Sequence, residues 1–240
     1  MRLVQLAIAF VAGTALFAGS TFLGGGPFVA FSIAVIVAAA AVTYVAYVLR
    51  ARRWVMQTYQ LLVSCRLAEV RERIEAERAA ASSPIKPRLL DLLWAEALFW
   101  SGDHAQAYAA AHALDAGALP ELWRGSVYEI KLATAAFTGR AAEARAVLTE
   151  HAAVLRERPG FHQLDALVSL REGDTAKARA AWQSASNAGP RPQLVEAALA
   201  LFQAELAVAH GEPAEKFAAE AERLGGDSFC GRSARALVTS

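Results

Sequence analysis

Phe161–Pro190 reads FHQLDALVSLREGDTAKARAAWQSASNAGP. A largely apolar helix-forming stretch stops at Gly173, and an alanine-rich one starts two residues later at Thr175-Ala176. Glycine ends a helix in a left-handed turn without steric cost. Small alanines let the following helix lie close against the first. The stretch therefore predicts a helical hairpin.

The same arrangement recurs on both sides. Gly102-Asp103-His104-Ala105, Gly139-Arg140-Ala141-Ala142, Gly173-Asp174-Thr175-Ala176 and Gly211-Glu212-Pro213-Ala214 follow one another at intervals of 37, 34 and 38 residues. Alanine returns four residues further on, at Ala109, Ala146, Ala180 and Ala218. A period of this length with a central glycine predicts stacked helical hairpins. The expected pairs are Arg88–Trp100 with His104–Ala116, Leu122–Phe137 with Ala141–Arg156, Phe161–Leu170 with Thr175–Asn187, and Leu194–Ala209 with Pro213–Leu224. Pro120, Pro159, Pro190 and Pro192 fall between them, where a residue that cannot sit inside a helix belongs. Asp227–Leu237 reads as a final helix, a solvated cap carrying Arg232 and Arg235. From Trp54 onward there is no alternation of period two, and alanine, leucine, glutamate and arginine dominate, so the expected class is all-α.

Trp54–Ala81 is helical in composition but lacks the glycine turn. It reads either as a continuation of the preceding helix or as an atypical opening hairpin broken near Ser64-Cys65. In Arg66–Arg78 the arginines at 71, 73 and 78 interleave with Glu69, Glu72, Glu75 and Glu77, so i,i+3 and i,i+4 pairs can support an exposed helix, read as a stalk or a first packing layer. Ala81-Ser82-Ser83-Pro84 marks a break after it.

The third hairpin resembles a tetratricopeptide repeat: Ala166 stands at the small position of the first helix, Gly173 at the turn, Ala178 and Ala185 at the small positions of the second, Trp182 at its large position and Pro190 at the end. The first resembles it through Trp94, Ala95, Gly102, Ala107 and Pro120. The second and fourth depart from the pattern, with Leu132, His151 and Lys216 replacing small residues. The resemblance covers residues 87–225 and implies an α-solenoid of about four hairpins. It also implies a groove, lined by the first helices of the hairpins, that holds a peptide. Carried over through the turn glycines, its positions are Glu96, Phe99, Trp100, Glu129, Phe137, Gln163, Arg171 and Glu205. The lysine and asparagine clamp by which chaperone-binding members grip a terminal carboxylate is missing, which disfavours a co-chaperone role. Phe99 and Trp100 would be anchors for a partner if exposed, and core residues if buried between repeats. Trp94, Trp123, Tyr128 and Trp182 read as core.

Ahead of the repeats stand two uncharged apolar runs, Leu3–Leu23 and Phe28–Leu49, joined by Gly24-Gly25-Gly26-Pro27. At about 20 residues each they are long enough for a hydrocarbon core of roughly 30 Å. They predict a transmembrane hairpin over residues 1–53, followed by a juxtamembrane helix over 54–86 and the repeat domain over 87–240. Arg2 precedes the first run and Arg50, Arg52 and Arg53 follow the second, so both termini are expected on the cytoplasmic side. Tyr44, Tyr47 and Trp54 fit the inner interface. Small residues at four-residue spacing, Ala9 with Gly13, Ala15 with Gly19, and Ala30, Ala34 and Ala38, predict close packing of the two spans. Residues 1–20 also read as a signal peptide with a small-residue site at Ala18-Gly19-Ser20, which would leave the second run as a lone anchor.

Composition removes several function classes. Twenty-four basic and 23 acidic residues leave no basic field for nucleic acid. The cysteines, Cys65 and Cys230, are expected as reduced thiols. Lysine occurs only at positions 86, 131, 177 and 216 among many arginines and alanines, as in GC-rich bacterial genomes. No phosphate-binding glycine loop, zinc spacing or Cys-x-x-Cys is present, and His112 with Asp115 reads as a solvated pair. No catalytic residue, metal, cofactor or small-molecule substrate is expected. The expected function is a scaffold at the cytoplasmic face of a bacterial inner membrane that binds a protein partner through the repeats. The alternative is an accessory subunit or assembly factor contacting an integral complex through the hairpin.

Overall fold

A computed structural model describes residues 27–80, 87–158, 160–185 and 192–239, with side chains from Val37 to Leu237. Among the described residues the chain is entirely helical, without a strand. It divides at Met56/Gln57 into two compact units. The run Leu3–Leu23, with Ala9, Gly13, Ala15 and Gly19, lies outside the described residues, as do the side chains of Ala30 and Ala34.

The second apolar run belongs to α1 (Pro27–Val63), a helix of 37 residues. Val37, Val42, Tyr44, Tyr47, Val48 and Leu49 stand exposed along it, and so does Ala38. Among the described residues no helix is long and apolar enough to cross a membrane.

From Gln57 onward the unit is a series of helical hairpins. α1 ends at Ser64-Cys65 and the chain turns into α2 (Leu67–Ala79). The pairs that follow are α3 (Pro87–Trp100) with α4 (His104–His112), α5 (Glu121–Phe137) with α6 (Ala141–Glu150) and α7 (Ala152–Arg156), α8 (Phe161–Arg171) with α9 (Thr175–Ala185), and α10 (Gln193–Ala209) with α11 (Glu215–Gly225). α12 (Phe229–Thr239) closes the chain.

Each glycine turn has the geometry its residue type demands. Gly102, Gly139, Gly173 and Gly211 have φ of 80°, 76°, 81° and 68°. The amides after them, of Asp103, Arg140, Asp174 and Glu212, donate to the carbonyls of Leu98, Ala135, Ser169 and Ala207 at 2.9–3.0 Å. These bonds satisfy carbonyls orphaned at the helix ends. Cys65 takes the same position at the α1–α2 turn, with φ of 59°, and Arg66 N–H donates to Leu61 O at 3.0 Å. The opening hairpin is thus built like the others, with cysteine in the glycine position.

Alanines seat the helix pairs: Ala95, Ala107, Ala111, Ala144, Ala166, Ala178, Ala204 and Ala221 are fully buried. Consecutive first helices pack side by side, α3 on α5, α5 on α8 and α8 on α10. The second helix of the second hairpin is broken at His151, whose ring stacks on Tyr128 at 3.7 Å. α4 stops at His112, and a 3-10 turn over Ala116–Ala118 follows, in which Asp115 accepts from the Gly117 amide at 2.8 Å. His112 therefore faces Tyr108 and Glu143 rather than Asp115.

Two sequence expectations are corrected. α2 is a packing layer and not an exposed helix: Leu67, Val70 and Ile74 are buried. Its arginines also reach other segments, Arg71 to Asp103 at 3.1 Å, Arg78 to Asp91 at 2.8 Å and Arg73 to Gln57 at 2.8 Å. Arg71 and Arg78 also flank the Trp94 ring. α12 is the expected final helix, with Arg232 and Arg235 exposed, but its other face is not solvated. It buries Phe229, Cys230 and Ala234 and packs on α10, α11 and α3. Arg232 donates to Ser101 O at 2.5 Å, and Cys65 lies 3.6 Å from Leu224 O. The last helix therefore joins the fourth hairpin to the first, and the row of first helices is closed on itself.

Candidate functional site

Closing that row leaves a cavity of about 630 Å³ between the first helices. Seven of the eight groove positions derived from the glycine register line it: Glu96, Phe99 and Trp100 from α3, Glu129 and Phe137 from α5, Gln163 from α8 and Glu205 from α10. Arg171 stands behind this lining. It donates to Glu205 at 2.7 Å and lies over the Phe137 ring at 4.8 Å.

One end is aromatic. Phe99 centres a cluster with Trp100, His104, Phe137 and Phe229, its ring centroid 5.1–5.4 Å from each of theirs. Phe99 is 4% exposed and belongs to the main core, so it is no free anchor; Trp100 is half-buried and borders the cavity. His104 Nδ1 is buried without a hydrogen bond, and burial pushes the imidazole pKa down.

The other end is polar. Arg158, in the segment after α7, closes on Glu129 through Nε and Nη2 at 3.0 Å each and reaches Ser126 at 3.2 Å. These hydrogen bonds raise its pKa. Glu96 lies in the same wall, half-buried, and lines the cavity. No described residue hydrogen-bonds its carboxyl. Burial, reinforced by Glu129 and opposed by Arg158, raises its pKa to about 8, so at neutral pH it holds its proton. Tyr59 of α1 completes this wall, its phenol pushed up by burial and by Glu96 and Glu129.

Tyr59, Arg158, Trp182 and Phe229 line the cavity without having been expected there. Trp94, Trp123, Tyr128 and Trp182 are all half-buried against the core clusters, and Trp182 faces Phe202 at 4.9 Å. Among the described residues no group of three or more histidine, cysteine or acidic side chains could hold a metal ion.

The site is thus a half-open, mostly apolar cavity in a bundle of helical hairpins, with a few convergent polar groups, of the size that small ligands and anchoring side chains occupy. Comparison of the chain with family models, curated proteins and solved structures returns no match.

Proposed function

We propose that this chain is a binding module rather than an enzyme: a tetratricopeptide-like scaffold held at the cytoplasmic face of a bacterial inner membrane, capturing a protein partner. The observation that carries the reading is the cavity, in which seven independently derived groove positions converge from four successive first helices. Attachment to the bilayer rests on the two uncharged runs Leu3–Leu23 and Phe28–Leu49 and on the arginines outside them. The exposed valines, tyrosines and leucine between Val37 and Leu49 on α1 support it, since such a surface is at home in lipid.

The test is co-purification of the full-length chain in detergent with mass spectrometry of what it carries. Ala198→Phe, which fills the cavity from α10, should abolish capture of the partner while the chain still folds. Capture that survives this variant but is lost when Ala30 and Ala34 are replaced by leucine would assign the partner to the membrane hairpin, and the chain to the accessory subunits of an integral complex. A reporter active only in the cytoplasm, fused after Ser240, should be active. Activity only from a periplasmic reporter would overturn the orientation.

A further inference from the structure

The polar wall of the cavity holds two carboxyls and one guanidinium, so a carboxylate at Glu96 has no cation of its own in the unit. Glu96 and Glu129 share one guanidinium, and Arg158 gives both of its close hydrogen bonds to Glu129. The other acid at the cavity, Glu205, is matched by Arg171. Of the three acids lining the cavity, only Glu96 is without a hydrogen-bond partner among the described residues. A carboxyl in that position costs free energy unless something binds it. The missing complement is positive, because the groups acting on Glu96 are Glu129 from α5, the committed Arg158 and the Tyr59 phenol from α1. α8 and α10 add only Gln163 and the paired Glu205.

The rest of the lining narrows the choice. Trp100, one helical turn from Glu96, and Trp182 with Phe202 give the cavity aromatic faces, which attract cations through the ring quadrupole and accept an apolar body. Arg171 over Phe137 already shows this contact inside the unit.

We propose that the cavity is a binding site for an organic cation, an ammonium or guanidinium head on an apolar body, with the head on Glu96 and the body against Trp100, Trp182 and Phe202. This stands on the cavity's geometry and not on protein capture, because a free amine and a lysine of a partner present the same chemistry. Binding converts the protonated Glu96 into a carboxylate paired with the cation, and its proton leaves to solvent.

Calorimetry on the full-length chain in detergent tests it with three probes of one shape: 4-phenylbutylamine, 4-phenylbutan-1-ol and 4-phenylbutyrate. At pH 7 the amine should bind at least tenfold more tightly than the alcohol, and the carboxylate most weakly. Titrations in buffers of different ionisation enthalpy should show close to one proton released per amine bound and none for the alcohol. Glu96→Gln, isosteric with the protonated acid, should erase the amine's advantage and leave the alcohol unchanged. Equal binding of amine and alcohol, an undiminished advantage in E96Q, or no binding of the amine at millimolar concentration would each overturn the site. Should E96Q not fold, proton release by the wild type decides alone. The peptide Ac-Leu-Phe-Lys-Phe-Leu-NH2 separates the sources: tighter binding than the amine assigns the head to a partner's lysine, and weaker binding assigns it to a free small molecule. Loss of protein capture with the amine preference intact would sink the scaffold reading and leave this one standing.

Discussion

Arg158 holds Glu129 with two hydrogen bonds of 3.0 Å, and this bidentate pair joins the segment after α7 to the middle of α5. Both side chains are less than a third to a third exposed, so the pair is only partly screened. Removing the guanidinium leaves two neighbouring carboxyls without a cation. Arg158→Ala should therefore lower stability by about 2 kcal/mol in urea denaturation, and Glu129→Gln in the same chain should recover most of that loss. Equal melting of R158A and wild type would show the pair to be ornamental. Arg158→Lys should recover less than half, because an ammonium cannot make the fork.

Glu96 gives the unit a pH dependence of definite sign. Its folded pKa, about 8, lies above the ordinary 4.5, so folding takes up a proton. The contribution to stability is complete below pH 4.5 and is lost as pH rises towards 8, with a slope approaching 1.4 kcal/mol per pH unit. Glu96→Gln removes the linkage. The variant should match wild type near pH 4.5 and melt at higher temperature than wild type at pH 8. Thermal melts across this range check it; parallel curves for the two proteins would contradict the raised pKa.

His104 acts at the acidic side. Burial, with Arg171 and Arg232 nearby, keeps its folded pKa below the ordinary 6.5, partly offset by Asp103. The unfolded chain then binds a proton that the folded chain refuses, so this contribution to stability is present above pH 6.5 and falls as pH drops below it. His104→Phe should preserve the aromatic packing and flatten the stability profile between pH 6.5 and 5. Fluorescence-monitored urea titrations of the two proteins at each pH give the comparison.

The turn residues separate backbone strain from crowding. A Cβ at Gly173 would meet nothing within 4 Å, so Gly173→Ala should cost only the left-handed conformation, about 1 kcal/mol. At Gly102 the same atom would meet Arg232 at 2.7 Å and Phe229 Cβ at 3.2 Å. Gly102→Ala should therefore cost more, because it also loosens α12 from α3. Cys65 carries the strain already, so Cys65→Gly should be more stable than Cys65→Ala, which keeps the φ and loses the thiol's contact with Leu224 O.

What was legible from sequence follows from the range of the interactions. The four turns were readable because a positive φ is a local demand that glycine alone meets without cost. Once those turns were placed, helical register assigned the inward face, which is why Glu96, Phe99, Glu129, Gln163 and Glu205 meet in one cavity. At Cys65 a turn of the same geometry was readable only as one of two alternatives, because cysteine does not announce a positive φ as glycine does. Tyr59, Arg158 and Phe229 come from outside the first helices of the four glycine-turn hairpins: α1 brings Tyr59, Glu129 holds Arg158, and Phe229 arrives because α12 returns to α3. That closure is a contact between segments more than a hundred residues apart, encoded by the apolar face of Phe229, Cys230 and Ala234 and not by any local pattern.

The same closure decides what Phe99 does. With the groove open, Phe99 would be an anchor that alanine could replace without affecting stability. In the folded unit it touches four rings from α3, α4, α5 and α12 and keeps 4% of its surface. Phe99→Ala should cost about 3–5 kcal/mol, because the void it leaves merges with a cavity that cannot collapse. Trp100 contributes less to the core, since it is half-buried and borders open volume, so Trp100→Ala should cost less than half as much while changing the cavity's occupancy. Urea denaturation of both variants with unchanged m-values would establish that order. A Phe99→Ala protein as stable as wild type would mean that the ring stands free and the first and fourth hairpins do not close.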